Sequence, residues 1–230
     1  NNRLRKMELY NKKNNYKVLD LFCGCGGLSK GFEMAGYNIV LGVDFNESAL
    51  RTYAYNHQGC KTLYGDLSSH ETFEKIDALL EGEKIDVIIG GPPCQGFSLT
   101  GPRNFDDERN KLYLAMIETV KRYAPSAFMI ENVPGMATLY KGEVKEEIIK
   151  RFTNMGYKVS CKILCSADYG VPQIRKRLVF IGLKDSDEAF EFPEPTHTPE
   201  NYITCEQAIC DLPSLEDNVG SDVSEYIMKP

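Results

Sequence analysis

The chain has 230 residues, of which 42% are apolar and 26% charged, the composition of a soluble globular domain of the larger size class. No apolar run approaches the roughly 18 residues of a membrane-spanning helix, and the opening NNRLRKMELYNKKNN is polar and basic, without the apolar core of a signal peptide; neither a membrane nor export is expected, and a cytoplasmic setting is. The net charge of −6 is uneven: residues 184–230 carry 2 basic and 12 acidic residues, a balance of −10, which leaves 25 basic against 21 acidic, or +4, in residues 1–183. A polyanionic partner therefore stays compatible with the first part.

In chain order, YKVLDLF (16–22) reads as a buried strand and GLSKGFEMAG (27–36) as a helix ending at glycine. NIVLGVD (38–44) is the next strand, NESALRTYAYNH (46–57) the next helix, and CKTLY a weak strand. A helix follows over 70–82, a strand over 84–90, a helix over 109–123 and a strand over 126–132. A helix over 142–156 and strands over 157–165 and 177–183 close the series. This alternation predicts a Rossmann-like α/β fold, a mainly parallel sheet with helices on both faces. The boundary is expected near residue 184: residues 1–184 form one domain, and the acidic, proline-containing 185–230 reads as a connecting segment or the start of another region. In such sheets the ligand crevice lies outside the carboxyl ends of the strands, where the unusual residues of this chain cluster.

The first cluster is DLFCGCGGLSKGF. Gly24, Gly26 and Gly27 stand between a strand and a helix, where glycine lets the backbone approach a ligand near the positive end of the helix. Asp44 ends the second strand, 20 residues after Gly24, where a carboxylate can accept from both ribose hydroxyls. The dinucleotide fingerprint needs glycine at position 29, and the residue is Ser29, so a diphosphate cofactor is disfavoured. Asp66, in YGDL, could accept from an adenine amino group. The competing reading is a tight turn with Asp44 capping the next helix. The spacing to Asp44 and Asp66 favours an adenosine-bearing ligand.

The second cluster is GGPPCQGFS. Pro92 and Pro93 fix two φ angles and hold the residue before each extended, so Cys94 is presented with little freedom. A cysteine serving as a small buried hydrophobe would not need so stiff an approach, with glycines at 96 and 101 behind it. A hydrolytic cysteine would want a histidine partner, and none of His57, His70 and His197 sits in a comparable loop. The eight cysteines lack the paired spacing of a zinc site, and without an export signal they are expected as reduced thiols, with no metal. MIENVPG puts Glu131 at the end of a strand expected to neighbour that of the cysteine. VPQIRKRLVF puts Gln173, Arg175 and Arg177 at alternate positions, one face if the segment is a strand.

Together DLFCGCGGLSKGFEMAG, GVDFNESA, GDL, GGPPCQGFS, ENVPGM and DYGVPQIRKR resemble the cytosine-C5 DNA methyltransferases, in that family's order and over roughly residues 17–183. The resemblance implies methyl transfer from S-adenosyl-L-methionine to C5 of a cytosine flipped out of double-stranded DNA, leaving S-adenosyl-L-homocysteine. Cys94 would be the nucleophile that adds to C6. Glu131 would hold the base at N3 and the amino group, in a protonated or proton-sharing state. Arg177 would bind the cytosine O2, and Arg175 would support the loop or a phosphate. Phe22, Gly24, Gly27, Asp44, Phe45, Asp66, Leu67, Pro93 and Leu112 would surround the cofactor. The loop with Gln95, Ser98, Arg103 and Arg109 would close over the base, with Gln173 nearby. Nothing after Arg177 matches the family's recognition domain or its last two motifs. The resemblance therefore implies a fragment of a longer enzyme, one subunit of a split enzyme whose partner polypeptide brings those motifs, or a non-catalytic cofactor-binding scaffold. A tRNA cytosine-C5 methyltransferase of the same superfamily would use the same cysteine chemistry.

Overall fold

A computed structural model of the chain describes residues 15–93 and 111–210. The strands are β1 (Lys17–Leu21), β2 (Asn38–Asp44), β3 (Lys61–Tyr64), β4 (Val87–Gly90), β5 (Ala127–Asn132), β6 (Tyr157–Cys165) and β7 (Lys176–Lys184). The helices are α1 (Gly27–Met34), α2 (Glu47–Asn56), α3 (His70–Leu80), α4 (Lys111–Tyr123), α5 (Glu143–Thr153) and the short α6 (Cys205–Ile209). The expected elements are all present, most ends falling within two residues, with the start of β4 and the end of α5 shifted by three.

One seven-stranded sheet runs in the order β3-β2-β1-β4-β5-β7-β6. The pairs from β3 through β5 are parallel, and β7 enters antiparallel to β5. The chain builds outward from β1 through β2 to β3, then returns to the other side of β1 for β4. That reversal opens a crevice between the carboxyl ends of β1 and β4.

Alternation along each strand divides the core between two faces. Leu19, Leu21, Ile88, Phe128 and Ile130 join Ile76 and Leu80 of α3, Met116 and Val120 of α4, and Ile148 and Phe152 of α5 in the larger cluster. Val18, Ile39, Val87 and Ile89 face the other way and take Leu28 and Phe32 of α1. Each fully buried Leu, Ile or Phe contributes roughly 1.5–3 kcal/mol, so both faces are firmly covered. The Rossmann-like α/β class expected from the sequence is the one observed.

The chain groups into two compact units. The larger takes residues up to 163 together with 177–192. In it, the Lys184 N–H donates to Ser126 O at 2.9 Å and the Ser160 hydroxyl to Phe190 O at 2.8 Å. The smaller takes 164–176 and the residues from 193 onward. There the N–H groups of Thr196 and His197 donate to Asp168 O at 2.8 and 2.9 Å, and the Tyr169 hydroxyl donates to Pro193 O at 2.9 Å. A capping box of Thr204 and Gln207 starts α6.

One local expectation is corrected. Gln173, Arg175 and Arg177 do not alternate along one strand, because β7 begins at Lys176. Gln173 N–H donates to Val171 O at 2.7 Å and Arg175 N–H to Gln173 O at 3.0 Å. These two-residue closures occupy the backbone groups that a ladder would use.

Candidate active site

Parallel register places Leu21 beside Val43 on one side and Gly90 on the other, and Gly90 beside Ile130. The loops that leave β1, β2, β4 and β5 therefore start in one row at one edge of the sheet. The β1–α1 loop turns sharply there. Phe22, Gly24 and Gly26 have φ of 56°, 53° and 90°, a region that costs a residue with a Cβ about 1–2 kcal/mol. Cys23 N–H bonds Val43 O at 3.1 Å, and Gly26 N–H closes the turn on Cys23 O at 2.9 Å.

Asp44 holds this loop. Its Oδ2 accepts the Gly24 N–H and its Oδ1 the Asn46 N–H, both at 2.8 Å. Helix α2 is capped by Asn46, whose side chain accepts from Ala49 N–H at 3.0 Å, so Asp44 is not the helix cap. Each carboxylate oxygen keeps a second lone pair for a ligand. A Cβ built on Gly24 or on Gly27 would meet nothing within 4 Å, so both open onto free space. Phe45 is 66% exposed and Phe22 half-buried. Asp66 is exposed just past β3, its Oδ1 accepting the Ser68 N–H at 2.8 Å. Leu67 instead belongs to the core, 3% exposed. Pro93 and Leu112 are half-buried.

Beneath the loop is a buried polar chain that the sequence does not announce. Ser29 is fully buried; its hydroxyl donates to Asp20 Oδ2 at 2.6 Å and lies 2.8 Å from the Tyr53 hydroxyl. Serine thus replaces the third glycine of a dinucleotide fingerprint by turning inward. Burial pushes the Asp20 carboxyl up to about 7, with the Ser29 bond opposing and the Asp44 charge adding.

On the other side of the crevice, Arg177 Nε lies 2.6 Å from Glu131 Oε1. A Cβ on Gly91 would come 3.4 Å from Glu131 Oε2, so the glycine keeps the space before that carboxylate clear. Asn132 is buried, and its amide donates to Pro92 O at 2.9 Å while its Oδ1 accepts the Val133 N–H at 2.8 Å. The Pro-Pro turn is thereby tied to β5, the strand that carries Glu131. Asn132 is a positioning residue that sequence reasoning passed over, although it stands inside the quoted ENVPGM.

Cys94, Gln95, Ser98, Arg103 and Arg109 lie outside the described residues. Gln173 and Arg175 are exposed in the smaller unit, while Glu131 and Arg177 belong to the larger. Among the described residues seven cysteines are free thiols, no group of three His, Cys, Asp or Glu side chains could hold a metal ion, and no helix is long and apolar enough to cross a membrane.

The profile of the C-5 cytosine-specific DNA methylase family matches residues 16–228. The chain is 41% identical over 219 residues to the Type II methyltransferase M.DdeI of Desulfomicrobium norvegicum, covering 93% of this chain and 52% of that protein. It is 36% identical over 221 residues to the Type II methyltransferase M.AquIA of a Picosynechococcus species, covering 86% of this chain and 89% of that one. A solved DNA modification methyltransferase encoded within an E. coli prophage superposes with a TM-score of 0.71 at 33% identity, over 87% of this chain and 56% of the other. The chain thus spans about half the length of M.DdeI and most of the length of M.AquIA.

Proposed function

The chain belongs to the C-5 cytosine-specific DNA methylase family, and from that premise we propose that it carries the catalytic half of a DNA cytosine-C5 methyltransferase using S-adenosyl-L-methionine. The observation that carries the reading is that the Glu131–Arg177 pair and the anchored Pro-Pro turn share one sheet edge with the Asp44-bound glycine loop.

The cofactor, when bound, supplies a methyl group on a sulfonium and leaves as the thioether. Its fit rests on the loop itself: open space over Gly24 and Gly27, acceptor capacity on Asp44, exposed Phe45 and Asp66, and no third glycine for a diphosphate. The target base has to leave the duplex stack before any side chain reaches it. The Cys94 thiolate then forms an S–C6 bond. Glu131 shares a proton at N3, so the electron pair arriving in the ring is held and C5 becomes nucleophilic. Arg177 supports the charge at O2. After C5 takes the methyl group, loss of its proton expels the thiolate and restores the ring. One difficult substitution becomes two easier steps. A stiff Pro-Pro approach matters because the sulfur must meet C6 out of the ring plane, where a misplacement of about 1 Å can cost about 10²-fold in rate. Leu112 and Pro93 line the cofactor side, and Gln95, Ser98, Arg103 and Arg109 close over the base. Arg175 supports the loop or a phosphate, and Gln173 is grouped with the residues assigned to the DNA substrate.

Residues from 185 onward lead toward the sequence-reading portion, which lies beyond the part shared with M.DdeI. That portion sits on the same polypeptide or on a second one.

The test is methyl-labelled S-adenosylmethionine with mixed-sequence DNA and, separately, tRNA. The chain is assayed alone and with the carboxyl-terminal half of a relative such as M.DdeI, beside Cys94→Ala. Label in DNA that disappears with Cys94→Ala is expected. Equal label from the variant would sink the mechanism, and label in tRNA alone would move the substrate to RNA.

A further inference from the structure

His57 is the buried histidine of this fold, 2% exposed at the end of α2, with its ring 4.4 Å from that of Tyr53. Both ring nitrogens face oxygen acceptors. Nε2 lies 3.1 Å from Gly26 O, and Nδ1 lies 2.8 Å from Glu33 Oε1. The Gly26 carbonyl also accepts the first i→i−4 hydrogen bond of α1, from the Lys30 N–H at 2.9 Å. A Cβ on Gly26 would stand 2.0 Å from His57 Nε2, so the ring is seated directly against the loop.

This geometry sets a proton count. A carbonyl only accepts, so Nε2 must carry a hydrogen. The second contact then needs another hydrogen, on Nδ1 or on the Glu33 carboxyl. Imidazolium with carboxylate and imidazole with carboxylic acid both satisfy it. An imidazole carrying one hydrogen against a carboxylate does not: a ring lone pair would face a carboxylate oxygen, or the Gly26 bond would be given up. The other titratable groups around the ring are Lys30 of α1, whose Nζ lies 3.3 Å from Glu33 Oε2, Tyr53 of α2, and, behind Tyr53, Asp20 of β1. Cys23 and Cys60 stand beside Tyr53. Lys30 is exposed.

We propose that His57 and Glu33 form a proton-dependent clamp that positions the Gly24–Gly27 turn for the cofactor. His57 touches no reactant and acts through Gly26. The inference rests on the reading of that turn as the cofactor site. Losing the shared proton frees the Gly26 carbonyl or repels α1, and the turn relaxes. Affinity for the cofactor therefore falls as pH rises.

The test uses the full chain and S-adenosylhomocysteine, with binding measured by calorimetry from about pH 5.5 to about pH 8.5, the span in which histidine ordinarily changes charge. Long-range proton–nitrogen spectra of the free chain count the hydrogens on the His57 ring. The wild type is expected to bind about tenfold more weakly at the upper end, within the usual range of coupling between sites. Glu33→Gln is expected to flatten the profile, because its amide donates to Nδ1 of a singly protonated ring. His57→Ala should bind about tenfold more weakly throughout, and Asp20→Asn should keep the wild-type slope. A Glu33→Gln profile that tracks the wild type, or His57→Ala binding at wild-type strength, overturns the clamp while leaving the cofactor site standing. No binding by the wild type at any pH, with a doubly protonated ring in the spectra, removes the cofactor site and the clamp's purpose with it.

Discussion

Arg177 Nε stands 2.6 Å from Glu131 Oε1, with the two side chains 26% and 30% exposed. The antiparallel register that sets Glu131 opposite Val179 brings Arg177, two residues earlier, to the end of β5. At that exposure, solvent leaves such a pair at most about 1 kcal/mol of stability, so its value is in aiming the carboxyl. Glu131→Gln is expected to lower methyl incorporation by about 10²–10⁴-fold, the usual worth of a positioned acid–base group, with little change in thermal stability. A rate within about twofold of wild type would remove Glu131 from proton handling.

Asn132 supplies the corresponding prediction for the Pro-Pro turn. Its amide is buried between Pro92 O and the Val133 N–H. Asn132→Ala leaves both backbone groups short of a partner, at about 1–3 kcal/mol each if water cannot replace it. The Pro92–Pro93 segment, which precedes Cys94 in the sequence, then loses its anchor to β5. Turnover is expected to fall while cofactor affinity stays near wild type. Loss of both together, with a lowered melting temperature, would make Asn132 a folding residue only.

The fold was legible because its signals are local. Strand runs such as 87–89 are apolar throughout and bounded by Asp86 and by glycine, and Val144, Ile148 and Phe152 mark the buried face of α5 at helical spacing. The meeting of the glycine loop with Asp44 was legible through spacing, since Gly24 and Asp44 meet only because β1 and β2 are adjacent and parallel. What was not legible depends on three-dimensional closure. The Asp20–Ser29–Tyr53 chain joins residues that look like an ordinary strand end, a helix polar position and a helix aromatic. Nor did alternation alone reveal that Gln173 and Arg175 lie in tight turns before β7, because two-residue closures leave no periodic trace.

Asp44 and Gly27 test the cofactor crevice from two sides. Asp44→Ala removes acceptors for two loop N–H groups and any ribose contact, and S-adenosylhomocysteine binding is expected to weaken by about 10–100-fold, the worth of one or two charge-assisted hydrogen bonds. Gly27→Ala adds a methyl group where nothing lies within 4 Å, so the fold should melt as before while binding weakens. Calorimetry and thermal denaturation on the same samples separate the two. Unchanged affinity in Asp44→Ala would remove the ribose assignment, and unchanged affinity in Gly27→Ala would place the ligand away from the turn.

Asp20 makes stability depend on pH in the direction opposite to most carboxylates. Its carboxyl is 1% exposed and pushed up to about 7 by burial first, then by the charge of Asp44, against the Ser29 hydrogen bond. In the unfolded chain an aspartate releases its proton near pH 3.9. Below about pH 4 both states hold the proton and this contribution is fully present. Between about pH 4 and about pH 7 the folded state alone keeps it, so stability falls by about 1.4 kcal/mol per pH unit, up to roughly 4 kcal/mol in all. Asn at this position keeps an acceptor for Ser29 and cannot ionise. Urea denaturation of the wild type and Asp20→Asn at about pH 4.5 and about pH 7.5, which bracket the window, should therefore show the variant gaining on the wild type as pH rises. Parallel profiles would mean that Asp20 is ionised inside the fold throughout. The Ser29 hydroxyl would then be its counterweight, and the Tyr53 hydroxyl would donate to Ser29 at every pH.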